Sequence, residues 1–214
     1  MKDSLKQLIE SIVEMELLDE DAKNIKDLGG EGLALYKTGG GSFRDYYLYR
    51  PDRVEGMMKH FTKISAIEAM VGVINIVIDR ECETWTVATV AAESGYGPIM
   101  YTIAMSDIAP EYLAADRGAT SSEARELWAF MLDNRSKEFH MKDLVGRCTH
   151  YKATDEEDPA LFKAFSIKRK VNFKSLESKH NETMAVISKK QPNVWSIKKL
   201  IMAGEFLFGD LYKG

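Results

Sequence analysis

Two neighbouring runs rich in β-branched residues, Val71 to Ile78 and Thr84 to Ala92, constrain this chain more than any other part of it. Each is apolar on both faces, the pattern of strands that lie inside a sheet with helices over either side. The polar stretch Asp79 to Glu83 between them reads as the turn that joins them. A length of 214 residues, 45% of them apolar, suits one globular domain with a sizeable core, with appendages at its ends.

Other elements follow from periodicity. Leu33 to Tyr36 and Phe43 to Tyr49 flank Gly39, Gly40 and Gly41, which predicts an antiparallel hairpin closed by a glycine turn. No Lys-Ser/Thr pair follows these glycines, so they do not read as a phosphate loop. Leu5, Leu8, Ile9, Ile12 and Val13 form the stripe of an amphipathic helix, with Ser4 and Gln7 as its capping box. Pro51 opens another helix carrying Val54, Met57, Met58, Phe61 and Ile64. Farther on, a short strand is expected at Tyr112 to Ala115 and a helix from about Ser121 to Asn134. Thr120 and Glu123 offer that helix a capping box, and Leu127, Trp128, Met131 and Leu132 its buried face. Asp155 to Asp158 reads as an acidic loop, Phe162 to Phe173 as containing a strand, and Asn193 as the cap of a helix ending near Gly204.

No apolar run reaches the roughly 18 residues of a membrane-spanning helix, and the acid-rich first residues carry no secretory signal, so a cytoplasmic location is expected. Cys82 and Cys148 have no metal-ligand spacing and are expected as reduced thiols. The net charge of −4 is uneven, since Lys163 to Lys199 carries ten basic residues against Glu177 and Glu182 and leaves −12 on the rest. That segment reads as a solvated face, or as a surface for an anionic partner. A nucleic-acid contact would use Phe165, Phe173 and Trp195 for stacking, but these aromatics also suit the core and the protein as a whole is acidic, so nucleic acid is not the expected partner.

Chemistry concentrates between Trp85 and Ile108. A buried strand runs into Glu93-Ser94-Gly95-Tyr96-Gly97-Pro98 and then into a helix striped with Ile99, Met100, Ile103 and Ala104. The first N–H groups of a helix lack internal partners, and glycine lets a ligand approach the backbone closely, so this turn is a candidate anion site.

The run Gly95-Tyr96-Gly97-Pro98 with Met100, Tyr101, Ile103, Ala104 and Met105, followed by Asp116-Arg117 and by Ser122-Glu123-Ala124 with Trp128, resembles the GNAT superfamily of N-acetyltransferases. The likeness is to its phage-encoded members and covers about Gly32 to Leu144. It implies an α+β fold with a mixed, mostly antiparallel central sheet flanked by helices, organised as an N-terminal helix (1–27), a GNAT-like core (28–150) and a C-terminal extension (151–214). It also implies acetyl-CoA as co-substrate, held in a splay between two central strands. Val90 and Ala92 would meet the pantetheine arm, and the backbone of Ser94, Gly95, Tyr96 and Gly97 the pyrophosphate. The acceptor would be an amine on a small molecule or a protein.

For catalysis the candidates are Glu83 as base and Tyr101 as acid. Glu81, Glu93 and His60 are further candidate bases, and Tyr96 a further acid. Two positions depart from the family pattern: Ala92 stands where an Arg or Gln is usual, and Trp128 where a late-helix tyrosine protonates the departing thiolate. The resemblance therefore supports an acyl-CoA-dependent N-acetyltransferase, in the host cytoplasm if phage-encoded. The alternative is a catalytically inactive GNAT-like protein that binds a protein partner, forms a homo-oligomer or belongs to the virion.

Overall fold

The two β-branched runs form β3 (Met70–Asp79) and β4 (Thr84–Ala92), adjacent antiparallel strands at the centre of a seven-stranded sheet. This computed structural model describes residue 28 and residues 31–54, 68–93, 95–116, 120–133, 136–145 and 159–190. The helices expected over residues 4–13 and beyond Asn193, and the acidic loop at 155–158, lie outside them.

The expected hairpin is β1 (Ala34–Gly40) with β2 (Phe43–Tyr49), closed by Gly41 and Ser42. Gly41 takes φ +63°, a conformation that glycine adopts without a Cβ penalty. A helical turn at 51–54 leads away from β2, and residues 68–69 are helical where the chain returns to β3. After β4 come α1 (Gly97–Ile108), β5 (Leu113–Ala114), α2 (Ser122–Asp133) and β6 (Phe139–Asp143). A 3₁₀ turn (Pro159–Phe162) then precedes β7 (Lys163–Ile167) and α3 (Lys174–Lys190).

The sheet order is β1-β2-β3-β4-β5-β7-β6, and every pairing is antiparallel except β4 with β5. The fold is thus α+β, with a mixed, mostly antiparallel sheet. Residue 150, expected to end the core, falls between β6 and β7, and these two strands pair from Phe139↔Ile167 to Asp143↔Lys163. The residues expected as an extension therefore supply an inner strand.

Register sorts the side chains into two layers. Leu35, Tyr46, Leu48, Ile74, Ile76 and Val87 face one side, where α1 and α2 cover them with Met100, Ile103, Ala104, Leu127 and Trp128. Ala34, Tyr47, Tyr49, Val73 and Ala91 face the other and pack with Ile187 of α3. Here His180 stacks on Tyr36 with ring centroids 4.6 Å apart, and its Nδ1 lies 2.8 Å from the Tyr49 hydroxyl.

Two of the local expectations are revised. Thr120 turns back to donate its hydroxyl to the Asp116 carbonyl, so the cap of α2 is Ser121, whose Oγ accepts from the Ala124 N–H at 3.3 Å. Cys82 is disulfide-bonded rather than a reduced thiol. It is buried beside Leu144 at the end of β6, so the strand pairing draws together parts of the chain far apart in sequence. Cys148, the chain's other cysteine, lies outside the described residues. Among the described residues no helix is long and apolar enough to cross a membrane.

Contacts at both ends fix α1 to the sheet. Near its start Met100 crosses Gly72 so closely that a Cβ there would lie 2.8 Å from the Met100 sulfur. At its end the Asp107 carboxylate accepts from Lys37 Nζ at 2.7 Å, from Arg44 at 2.5 Å and from the Tyr46 hydroxyl at 2.8 Å. Burial works against the charge of Asp107, but the hydrogen bonds from Lys37, Tyr46 and Arg44 outweigh it and hold the carboxyl below its ordinary value. A depressed folded-state pKa stabilises the fold above the unfolded-state value and ceases to do so as acid protonates the group. Asp107→Asn is expected to lower the stability by about 1 to 3 kcal/mol at neutral pH. In urea melts at a series of pH values, that gap should close as the pH falls below 3.8.

Candidate functional site

The distinctive geometry lies along β4. Against β3 its register shifts, with Asn75 opposite Thr89 but Ile76 opposite Val87, so Ala88 is an unpaired bulge residue. On its other edge β4 pairs with β5 at two positions, Trp85↔Leu113 and Thr86↔Ala114. From Val87 to Ala92 that edge has no strand beside it among the described residues, and Ala88 and Thr89 are exposed. Val90 and Ala92 are partly buried against the core.

The open edge runs into a tight turn. The Glu93 N–H bonds to the Val71 carbonyl at 2.8 Å, Gly95 takes φ +88°, and the Tyr96 N–H bonds back to the Glu93 carbonyl at 3.0 Å. α1 begins at Gly97, and Pro98 has no N–H. The N–H groups of Gly97 and Ile99 have no acceptor among the described residues. A Cβ built on Gly95 or Gly97 would meet nothing within 4 Å, so the turn is open on the side where a side chain would project. Unpaired N–H groups at a helix start attract anions.

Charge around the turn is mixed. Arg50 donates to both Glu93 carboxylate oxygens, at 2.8 and 2.6 Å, while reaching the Glu68 and Met70 carbonyls at 3.3 and 3.4 Å. The Tyr96 hydroxyl donates to Glu31 at 2.8 Å, and partial burial together with that carboxylate pushes the phenol up to about 12. Two carboxylates thus border the turn, one of them neutralised by Arg50.

The structure brings Val90, Ala92, Gly95, Tyr96 and Gly97 onto one continuous path, as the end of a strand and the turn after it. Ser94 lies outside the described residues. Tyr101 sits one turn into α1 with its ring in the core, edge-on to Trp128 at a centroid distance of 5.4 Å, and Trp128 packs in turn on Phe165 at 5.4 Å. Burial pushes the Tyr101 phenol well up, so it holds its proton rather than releasing it.

Glu83 is exposed at the opposite end of β4, roughly 30 Å from Gly95 by strand rise. It lines a separate cavity of about 490 Å³ together with Trp85, Glu111, Tyr112 and Lys142. Its backbone takes φ +51°, which costs a non-glycine residue about 1 kcal/mol or more. Asp116 lines another cavity, of about 560 Å³, with Thr86, Asp79 and Arg80. Glu83 and Tyr101 are therefore not gathered with the glycine turn. Glu93 reaches the turn but is held by Arg50, and His60 lies outside the described residues. Arg50 and Glu31, which set the electrostatics of the turn, carry no motif that would single them out in the sequence.

Comparison of the chain with family models, with curated proteins and with solved structures finds no match.

Arg50→Ala strips Glu93 of its bidentate partner beside the turn. Since both side chains are about a third exposed, the expected loss of stability in urea melts is modest, about 0.5 to 1.5 kcal/mol. Arg50→Lys should recover only part of it, because an ammonium cannot reproduce the two parallel bonds.

Proposed function

We propose that this chain binds an acyl-coenzyme A along the open edge of β4 and transfers the acyl group to an amine. One observation carries this reading: the parallel junction with β5 ends at Thr86, and the β4 edge released there leads to a glycine turn and helix start whose Gly97 and Ile99 amides have no acceptor among the described residues. An extended pantetheine arm complements the backbone groups of an unpaired strand edge, as an added strand would. A pyrophosphate complements the amides of Gly97 and Ile99, with the macrodipole of α1 adding attraction. Arg50 offsets the charge of Glu93 beside the turn, so that of the two carboxylates there only Glu31 opposes an anion, and no Arg or Gln stands at Ala92. The sequence resemblance described above points to the same substrate.

In the transfer, a neutral amine attacks the thioester carbonyl; a C–N bond forms, the C–S bond breaks, the thiolate leaves, and the proton released from the nitrogen passes to water or to the departing thiolate. What the protein supplies is orientation along β4, and that contribution alone can be large. Trp128 gives no acid for the thiolate, since indole donates a hydrogen bond but does not titrate usefully. The burial of Trp128 and Tyr101 in one aromatic cluster favours a second reading, in which the site binds the coenzyme without turnover.

Calorimetric titration with acetyl-CoA tests the binding step. The wild type is expected to bind, and Gly97→Trp, which fills the open side of the turn, to bind at least about tenfold more weakly with its melting temperature retained. Equal weak heats for both proteins would remove the acyl-CoA reading. Release of free thiol from acetyl-CoA in the presence of an amine panel separates transfer from binding alone.

A further inference from the structure

At the end of β4 remote from the glycine turn, the 490 Å³ cavity opens between the β3–β4 turn, the α1–β5 turn and β6. Its volume lies in the range of small-molecule sites. Ile78, Trp85, Pro110 and Tyr112 give it apolar and aromatic walls, and four charged side chains border it. Two of these are occupied. Lys142 donates to the Cys82 and Glu83 carbonyls at 2.9 and 3.3 Å, and Glu111 accepts from the Trp85 indole N–H. The Arg80 guanidinium and the Glu83 carboxylate have no partner among the described residues, so the cavity presents one unused cation and one unused anion.

The turn holding Glu83 is over-determined. Asp79 Oδ1 accepts from the Glu81 and Cys82 N–H groups at 3.0 and 3.1 Å, Cys82 is disulfide-bonded, and Lys142 grips the carbonyls on either side of the bend. These tethers hold Glu83 in its left-handed conformation and fix its place at the cavity. A backbone outlier maintained in this way is the kind of strain that persists at ligand sites. Thr84 lines the same cavity, and its buried hydroxyl has no partner among the described residues.

We propose that this cavity binds a free α-amino acid with a large apolar or aromatic side chain. Its carboxylate pairs with Arg80, its ammonium with Glu83, and its side chain lies against Trp85 and Tyr112. An ion carrying one charge would leave either Arg80 or Glu83 unmatched, and a fully apolar ligand would leave both. The inference stands whether or not the chain binds an acyl-coenzyme A.

The test is calorimetry on the full chain with L-phenylalanine and L-leucine, beside 3-phenylpropionate, which lacks the ammonium, and 2-phenylethylamine, which lacks the carboxylate. The amino acids are expected to bind, with each one-charge analogue at least about tenfold weaker than L-phenylalanine. Glu83→Gln should weaken L-phenylalanine about tenfold while leaving 3-phenylpropionate unchanged, and Arg80→Gln should weaken it while leaving 2-phenylethylamine unchanged. Gly97→Trp should change none of these. Both polar variants replace exposed side chains, and thermal melts confirm that they fold. No heat with either amino acid at millimolar concentration, one-charge analogues that bind as tightly as L-phenylalanine, or indifference to Glu83→Gln would each overturn the proposal.

Discussion

Much of this structure depends on how briefly β4 and β5 stay together. β4 pairs with β3 from Thr84 to Ala92, broken only by the Ala88 bulge, yet it shares only two residue pairs with β5 on its other edge. β5 is itself only Leu113–Ala114, and beyond it Thr120 bonds back to the Asp116 carbonyl. β7 takes the far edge of β5 through Ala164 and Phe165, so the sheet continues beyond the gap. An opened strand in mid-sheet leaves backbone donors and acceptors that water or a ligand must satisfy. The Ala88 bulge adds a local twist at the same place.

The gap would have little use if the turn beyond it were loosely held. α1 is fixed at one end by the close crossing of Met100 over Gly72 and at the other by three donors on Asp107. These contacts come from β1, β2 and β3, so the sheet that carries the open edge also sets the direction of the helix amides. The carboxylates of Glu31 and Glu93 oppose an anion here, and Arg50 cancels one of them. The balance between helix dipole, Arg50 and Glu31 sets the local potential at the turn, and it shifts with ionic strength because these groups are partly exposed.

The sheet was largely legible because its central strands are apolar on both faces, a pattern few other elements produce. The Thr84 to Ala92 strand and the hairpin strand ending at Tyr49 appear with the expected ends. α3 was hidden by its charges, although Leu176, His180, Thr183 and Ile187 recur at helical spacing and the Asn172 side chain accepts from the Lys174 N–H at 3.0 Å. The expected cap at Thr120 failed because a hydroxyl has more than one backbone group within reach, and spacing alone does not choose among them. At the site, the glycine turn could be read from Gly95 and Gly97. Arg50 and Glu31 could not, since they meet the turn across 43 and 65 residues of chain. Tyr101 suggested chemistry by its position in a motif, and packing turned its ring into the core, edge-on to Trp128, which the sequence pattern already places on a buried helix face.

Backbone amide NMR during a titration with coenzyme A examines the strand edge and the helix start in one measurement. Binding as described would shift the amides of Gly95, Gly97 and Ile99 together with those from Val87 to Ala92, while Glu83 and Tyr112 at the far end stay still. Shifts confined to the far end, or none at all at saturating coenzyme, would contradict the account of β4 as a coenzyme-binding edge.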